Sequence, residues 1–183
     1  MIAAALLACA MSVHPTTLDA IIRVESGGNP LALHVNKAAT QPPPARTVQE
    51  AASIVRRSIA AGYSVDVGIM QVNSRNLAGL GLTIEAAFDP CQNIAGGAAI
   101  LTDDYARAAQ QYGEGGTALL TALSAYNTGT WDRGFANGYV SRVIGTRAFF
   151  PASNQPKQLR TPNPYTAGTL AYSNHEDVYV LIE

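Results

Sequence analysis

One carboxyl in this sequence stands where a proton donor would have to stand. Glu25 follows Leu18, Ile21 and Ile22 by seven, four and three residues, which is the spacing of a single helical face. It therefore closes an apolar stripe, while Asp19 and Arg23 point away from it. Gly27-Gly28 and then Pro30 stop the helix within a turn. A carboxyl held against an apolar wall loses hydration of its charged form, so its pKa rises and it keeps its proton near neutrality. A general acid needs that property. The plainer reading is a glutamate in a fraying last turn, bent out to solvent, and spacing alone leaves both open.

The elements that must position this group are legible in part. Thr16-Thr17-Leu18-Asp19 has the form of a capping box and predicts the start of the Glu25 helix. Residues 31–46, with three prolines at Pro42, Pro43 and Pro44, read as a loop with extended segments. Thr47-Val48-Gln49-Glu50 is a second box, followed by Ala51, Ile54, Val55, Ser58 and Ile59 at helical spacing up to Gly62. Val65 and Val67 alternate with Asp66 and predict a short hairpin-like piece leading into Gly68-Ile69-Met70-Gln71-Val72-Asn73. Asp89-Pro90 supplies an N-cap and a proline at the first helical position. Ile94, Ala98, Leu101, Tyr105, Ala108 and Tyr112 then run to Gly113 as the longest, central helix. Shorter helices are expected at about 117–127 and from Asn137-Gly138 through Tyr139, Val140, Val143 and Ile144. From Pro151 onward, prolines break every period, so 1–150 reads as one domain and 151–183 as a polar tail, disordered or laid along it.

Composition sets the outer bounds. The chain has 183 residues, 48% hydrophobic and 14% charged, enough to bury a core and too apolar for wholesale disorder. A net charge of −1 offers no field for nucleic acid or an anionic membrane, and no stretch has the length of a membrane span. His14, His34 and His175 are scattered without ligand spacing, so no metal and no cofactor is expected. Residues 2–10 resemble a short signal-peptide core without a preceding basic residue, and a first helix of the mature fold is the preferred reading. Cys9 and Cys91 read as one disulfide in an exported chain, or as two buried thiols otherwise.

Four segments occur in a telling order: Glu25-Ser26-Gly27-Gly28-Asn29-Pro30, Gly68-Ile69-Met70-Gln71-Val72-Asn73, Asp89-Pro90-Cys91-Gln92-Asn93-Ile94 and Ala125-Tyr126-Asn127-Thr128-Gly129. Over about residues 16–144 the chain resembles the soluble lytic transglycosylases of the lysozyme-like superfamily. The run from Ser64 to Asn76, with Val13-His14-Pro15 upstream, is most similar to the peptidoglycan transglycosylases of type IV secretion and conjugation systems. The resemblance implies a mainly α-helical, lysozyme-like fold with a small extended segment beside a cleft. It also implies cleavage of peptidoglycan glycan strands with 1,6-anhydromuramoyl products, in the periplasm or otherwise exported, with type IV secretion or conjugation components as partners. Glu25 would act first as acid and then as base.

Gln71 and Asn73 can donate and accept, as hydroxyl and N-acetyl groups require, and Met70 offers a pliable apolar wall; the alternatives are loop amides and a core methionine. By family position Tyr126 enters the site, its hydroxyl free to bond the Glu25 carboxyl or an N-acetyl group. Tyr139 matches a family tyrosine near the groove. Asp66 is a candidate second carboxylate, which facing Glu25 across about 5–9 Å would permit hydrolysis instead; the alternative is an aspartate that accepts backbone N–H groups. The interval from Glu25 to Gln71 is longer than in compact family members, marking the Thr47 helix as an insertion. The family serine that supports the glutamate has no positional match, Ser64 being differently spaced. Two rival functions remain at this point: a hydrolytic muramidase, and a wall-binding assembly factor without turnover, against which the retained Glu25 argues. Because wall cleavage takes place outside the cytoplasm, the resemblance favours a Cys9–Cys91 bond.

Overall fold

The computed structural model describes residues 4–145. A short helix α1 (Ala4–Leu7) precedes α2 (Pro15–Glu25), strand β1 (Leu33–Val35) and α3 (Val48–Ala60). Strands β2 (Val65–Val67) and β3 (Val72–Asn73) and a 3-10 turn (Ala86–Phe88) lead to α4 (Pro90–Tyr112). Helices α5 (Gly116–Thr128), α6 (Arg133–Ala136) and α7 (Tyr139–Ile144) complete the described part. The fold is mainly helical with one small antiparallel sheet in the order β1-β2-β3. The proposed tail from Pro151 lies outside the described residues.

Local chemistry explains most of the boundaries. Asp89 caps α4 by accepting from Gln92 N at 2.9 Å, with Pro90 at the first helical position. Thr47 caps α3 through Glu50 N, while the Glu50 carboxylate takes Arg46 N at 2.8 Å, one residue outside a reciprocal box. Helix α2 departs from expectation. It begins at Pro15, capped by the His14 ring instead of by a threonine. Proline is pre-set for the first turn, so the start moves upstream of the Thr16 box.

Two apolar cores result. One joins α2, α4, α5 and α7 through Leu18, Ile21, Ile22, Leu101, Leu123 and Val140. The other packs α3 and the sheet through Val55, Val65, Val67, Leu77 and Phe88 against the Ile100 side of α4. Tyr126 packs against both, and the cleft opens along this seam. Cys9 and Cys91 form a disulfide, their Cα atoms 5.3 Å apart, fastening the segment after α1 to the first turn of α4. Strand β1 falls in the stretch read as a loop with extended segments; its three residues take their partners from β2, with Leu33, His34 and Val35 opposite Val67, Asp66 and Val65.

Candidate active site

A single turn, residues 67–71, organises the cleft. Asn93, buried in the first turns of α4, donates from Nδ2 to the carbonyls of Val67 (2.9 Å) and Ala87 (2.8 Å). Its Oδ1 accepts from Met70 N at 2.7 Å. Ser26 Oγ, one residue past α2, donates to Ile69 O at 2.7 Å. Tyr126 Oη, near the end of α5, donates to Met70 O at 2.7 Å. Three helices thus clamp one turn by its main chain, satisfying groups that would be costly to bury unpaired. Glycine is required at 68: φ is +78°, and a Cβ there would stand 2.4 Å from Ala87 O and from Asn93 Nδ2. Gln71 leaves the turn at φ +52°, a conformation that non-glycine residues rarely hold and that often accompanies function.

The Glu25 carboxyl, half-buried at the end of α2, faces the cleft. Its Oε1 accepts from Tyr139 Oη at 2.5 Å. Burial raises its pKa to about 7, with the Asp66 carboxylate adding to the rise; the Tyr139 hydrogen bond and Arg142 oppose it. Tyr139 is 1% exposed, and its own pKa is pushed far up by burial and by the neighbouring Glu25 charge, so the hydroxyl is a fixed donor. The Arg142 guanidinium lies 5.9 Å from the Tyr139 ring centroid.

Across the cleft, Asp66 sits in the middle of β2. Its two oxygens accept from Asn36 Nδ2 (2.9 Å) and Asn73 Nδ2 (2.6 Å). Burial nonetheless raises its pKa, against the effect of both amides. Asp66 is thus a cleft carboxylate bonded by side-chain amides, unlike the backbone-bonded loop residue of the alternative reading. Gln71 lines the cleft with Nε2 donating to Gly68 O at 2.8 Å. The cleft encloses about 550 Å³.

Several expected roles are redistributed. Met70 is fully buried and does not line the cleft; its side chain packs beneath it. A Cβ at Gly97 of α4 would come within 2.9 Å of Met70 Sδ and of Tyr126 Oη, so glycine there admits both. Met70 therefore contributes its main chain to the turn and no wall to a ligand. Tyr126 borders the cleft but spends its hydroxyl on Met70 O, and the bond to Glu25 comes from Tyr139. Ser64 is buried and does not line the cleft. Asn93, Ser26 and Asp104 were not singled out by spacing. Asp104, 2% exposed, borders the far wall with its pKa raised by burial to about 8 and pairs with Arg107. Its place four residues after Ile100, at the edge of the α4 stripe, was the available signal. Among the described residues, no cluster of His, Cys, Asp or Glu is placed to hold a metal ion, and no helix is long and apolar enough to cross a membrane.

A helical body, a three-stranded sheet lobe and a cleft with a protonatable carboxyl at a helix end define a lysozyme-like domain. The chain belongs to the Transglycosylase SLT domain family, whose profile matches residues 4–145. It is 42% identical over 156 residues to Protein virB1 of Rhizobium radiobacter, covering 82% of this chain and 62% of that protein. It is 42% identical over 154 residues to Protein virB1 of Agrobacterium fabrum, with 83% and 62% covered. Type IV secretion system protein virB1 of Brucella suis is 38% identical over 169 residues, covering 87% of this chain and 70% of that protein. The chain thus spans less than two thirds of the length of the first two relatives. No solved structure matches it significantly.

Proposed function

We propose that this chain cleaves the β-1,4 bond between N-acetylmuramic acid and N-acetylglucosamine in peptidoglycan, leaving 1,6-anhydromuramoyl ends. The carrying observation is the Glu25 carboxyl, raised to about 7 by burial and fixed by the Tyr139 hydroxyl at 2.5 Å. Protonated, it gives its proton to the glycosidic oxygen as the bond to the anomeric carbon breaks. The carboxylate left behind then takes the proton of the muramoyl 6-hydroxyl as that oxygen closes on the same carbon. Glu25 regains its proton, and no water enters the product. Gln71 and Asn73 line the cleft as donors and acceptors for sugar hydroxyl and N-acetyl groups. Family membership and the virB1 relatives support a place beside a type IV secretion or conjugation apparatus, opening the wall locally from the periplasm.

One observation favours a second reading. Asp66 lines the same cleft and raises the Glu25 pKa, so a two-carboxylate hydrolysis giving reducing ends is chemically available. Mass spectrometry of fragments released from purified sacculi separates the two. Anhydro ends, one water lighter, are expected. A majority of reducing ends, abolished by Asp66→Asn, would replace transglycosylation by hydrolysis.

A further inference from the structure

Helices α6 and α7 are joined through one residue. Asn137 ends α6, its N–H donating to Arg133 O at 2.9 Å. Gly138 turns the chain at φ +76°, and α7 opens on Tyr139. Asn137 Oδ1 reaches over that turn and accepts from Tyr139 N at 2.9 Å. Its Nδ2 donates to Asn127 Oδ1 at 2.9 Å, on the last turn of α5, where Asn127 lines the cleft. Its carbonyl accepts from Arg142 Nη1 at 3.1 Å, one turn along α7. Asn137 itself is exposed and does not line the cleft.

Helices of four and six residues are too short to hold an orientation by themselves. The first N–H groups of any helix also lack partners within it, and Asn137 supplies the acceptor for Tyr139 N. At the other end of the same residue, the Tyr139 hydroxyl donates to Glu25 Oε1 at 2.5 Å. We propose that Asn137 is a positioning residue for the acid: it ties the start of α7 to the cleft wall of α5 and so aims the Tyr139 hydroxyl at Glu25. The inference rests on the reading of Glu25 as the acid for its effect on rate, and on the bonds of Asn137 for its geometry. Truncation to alanine removes the ties to Tyr139 N and Asn127 and keeps the carbonyl that Arg142 uses. The groups acting on the Glu25 carboxyl are Tyr139 and Arg142 of α7, Asp66 of β2 and, near them, Tyr126 of α5. Of these, the Asn137 side chain holds Tyr139 alone. The Tyr139 bond lowers the Glu25 pKa, so loosening it moves that pKa up.

Two readouts on the full chain test this, one of them independent of turnover. Carbon NMR of glutamate-labelled protein follows the Glu25 carboxyl through its titration, its signal identified by its loss in Glu25→Gln. The rate of release of soluble fragments from purified sacculi gives kcat and KM across the same pH range. Asn137→Ala is expected to raise the carboxyl midpoint by roughly half a pH unit. It should lower kcat roughly tenfold with KM nearly unchanged. Asn137→Ser, which can still accept from Tyr139 N, should keep part of both. In a Tyr139→Phe background, Asn137→Ala should move the midpoint no further. A merely structural loss would shrink the folded fraction at every pH and leave the midpoint in place. An unmoved midpoint in Asn137→Ala, or a full shift that persists in Tyr139→Phe, would overturn the proposal. A midpoint that moves while the pH limb of the rate stays put would sink Glu25 as the acid and leave the positioning intact.

Discussion

A carboxyl that keeps its proton up to about pH 7 leaves a signature in the rate. If Glu25 is the acid, kcat/KM falls as pH rises through about 7. Tyr139→Phe removes the hydrogen bond that lowers this pKa, so the alkaline limb moves up; Asp66→Asn removes a charge that raises it, so the limb moves down. Opposite displacements in the pH profiles of the two variants are the check, and a common displacement contradicts the assignment. Glu25→Gln keeps shape and loses the proton, and turnover should drop by ~10²–10⁴-fold with the melting temperature nearly unchanged. The same shift has a stability sign. Between the ordinary carboxyl value of 4.5 and about 7 the folded chain binds more protons than the unfolded one, so stability falls with rising pH through that window. Residue spacing put Glu25 at the end of a buried helix face but left open whether its carboxyl turned to the cleft or to solvent. The roles of the two tyrosines were not legible, because which hydroxyl meets which oxygen depends on how α5 and α7 dock.

At the scale of elements, the turn at 67–71 concentrates the risk. Asn93→Ala leaves Met70 N and the Val67 and Ala87 carbonyls without their buried partner. It should cost on the order of 3 kcal/mol in urea unfolding and most of the activity. Ser26→Ala cuts the link to Ile69, a longer bond to Ile22 O and an amide bond from Gly28, all at a part-buried site, so a loss nearer 1 kcal/mol is expected. Capped helices such as α3 and α4 could be read within a residue or two, because a cap is decided by neighbours three positions away. Strand β1 and helix α6 could not. Three or four residues carry no period, and the β1 partners lie some thirty positions on. Met70 shows the same limit at the site: an apolar residue beside polar ones reads equally as wall or as core, and packing against Gly97 decides for core.

The described residues pack as two cores with a seam at Tyr126, and one covalent link crosses a long stretch of them. Cys9 and Cys91 are 82 positions apart, and closing a loop of that length in the unfolded chain is worth about 4–5 kcal/mol, often less in practice. Reduction, or Cys91→Ser, should lower the denaturation midpoint accordingly, and intact mass with and without reductant before alkylation verifies the bond. The link also divides the site between two covalent territories. Glu25, Asp66, Gln71 and Asn73 belong to a closed ring, whereas Tyr126 and Tyr139 hang from the strand that leaves it. A protease that nicks the ring at exposed Lys37 or Arg46 releases nothing. The nicked protein migrates as one species until thiol is added, and its acid still faces its tyrosine.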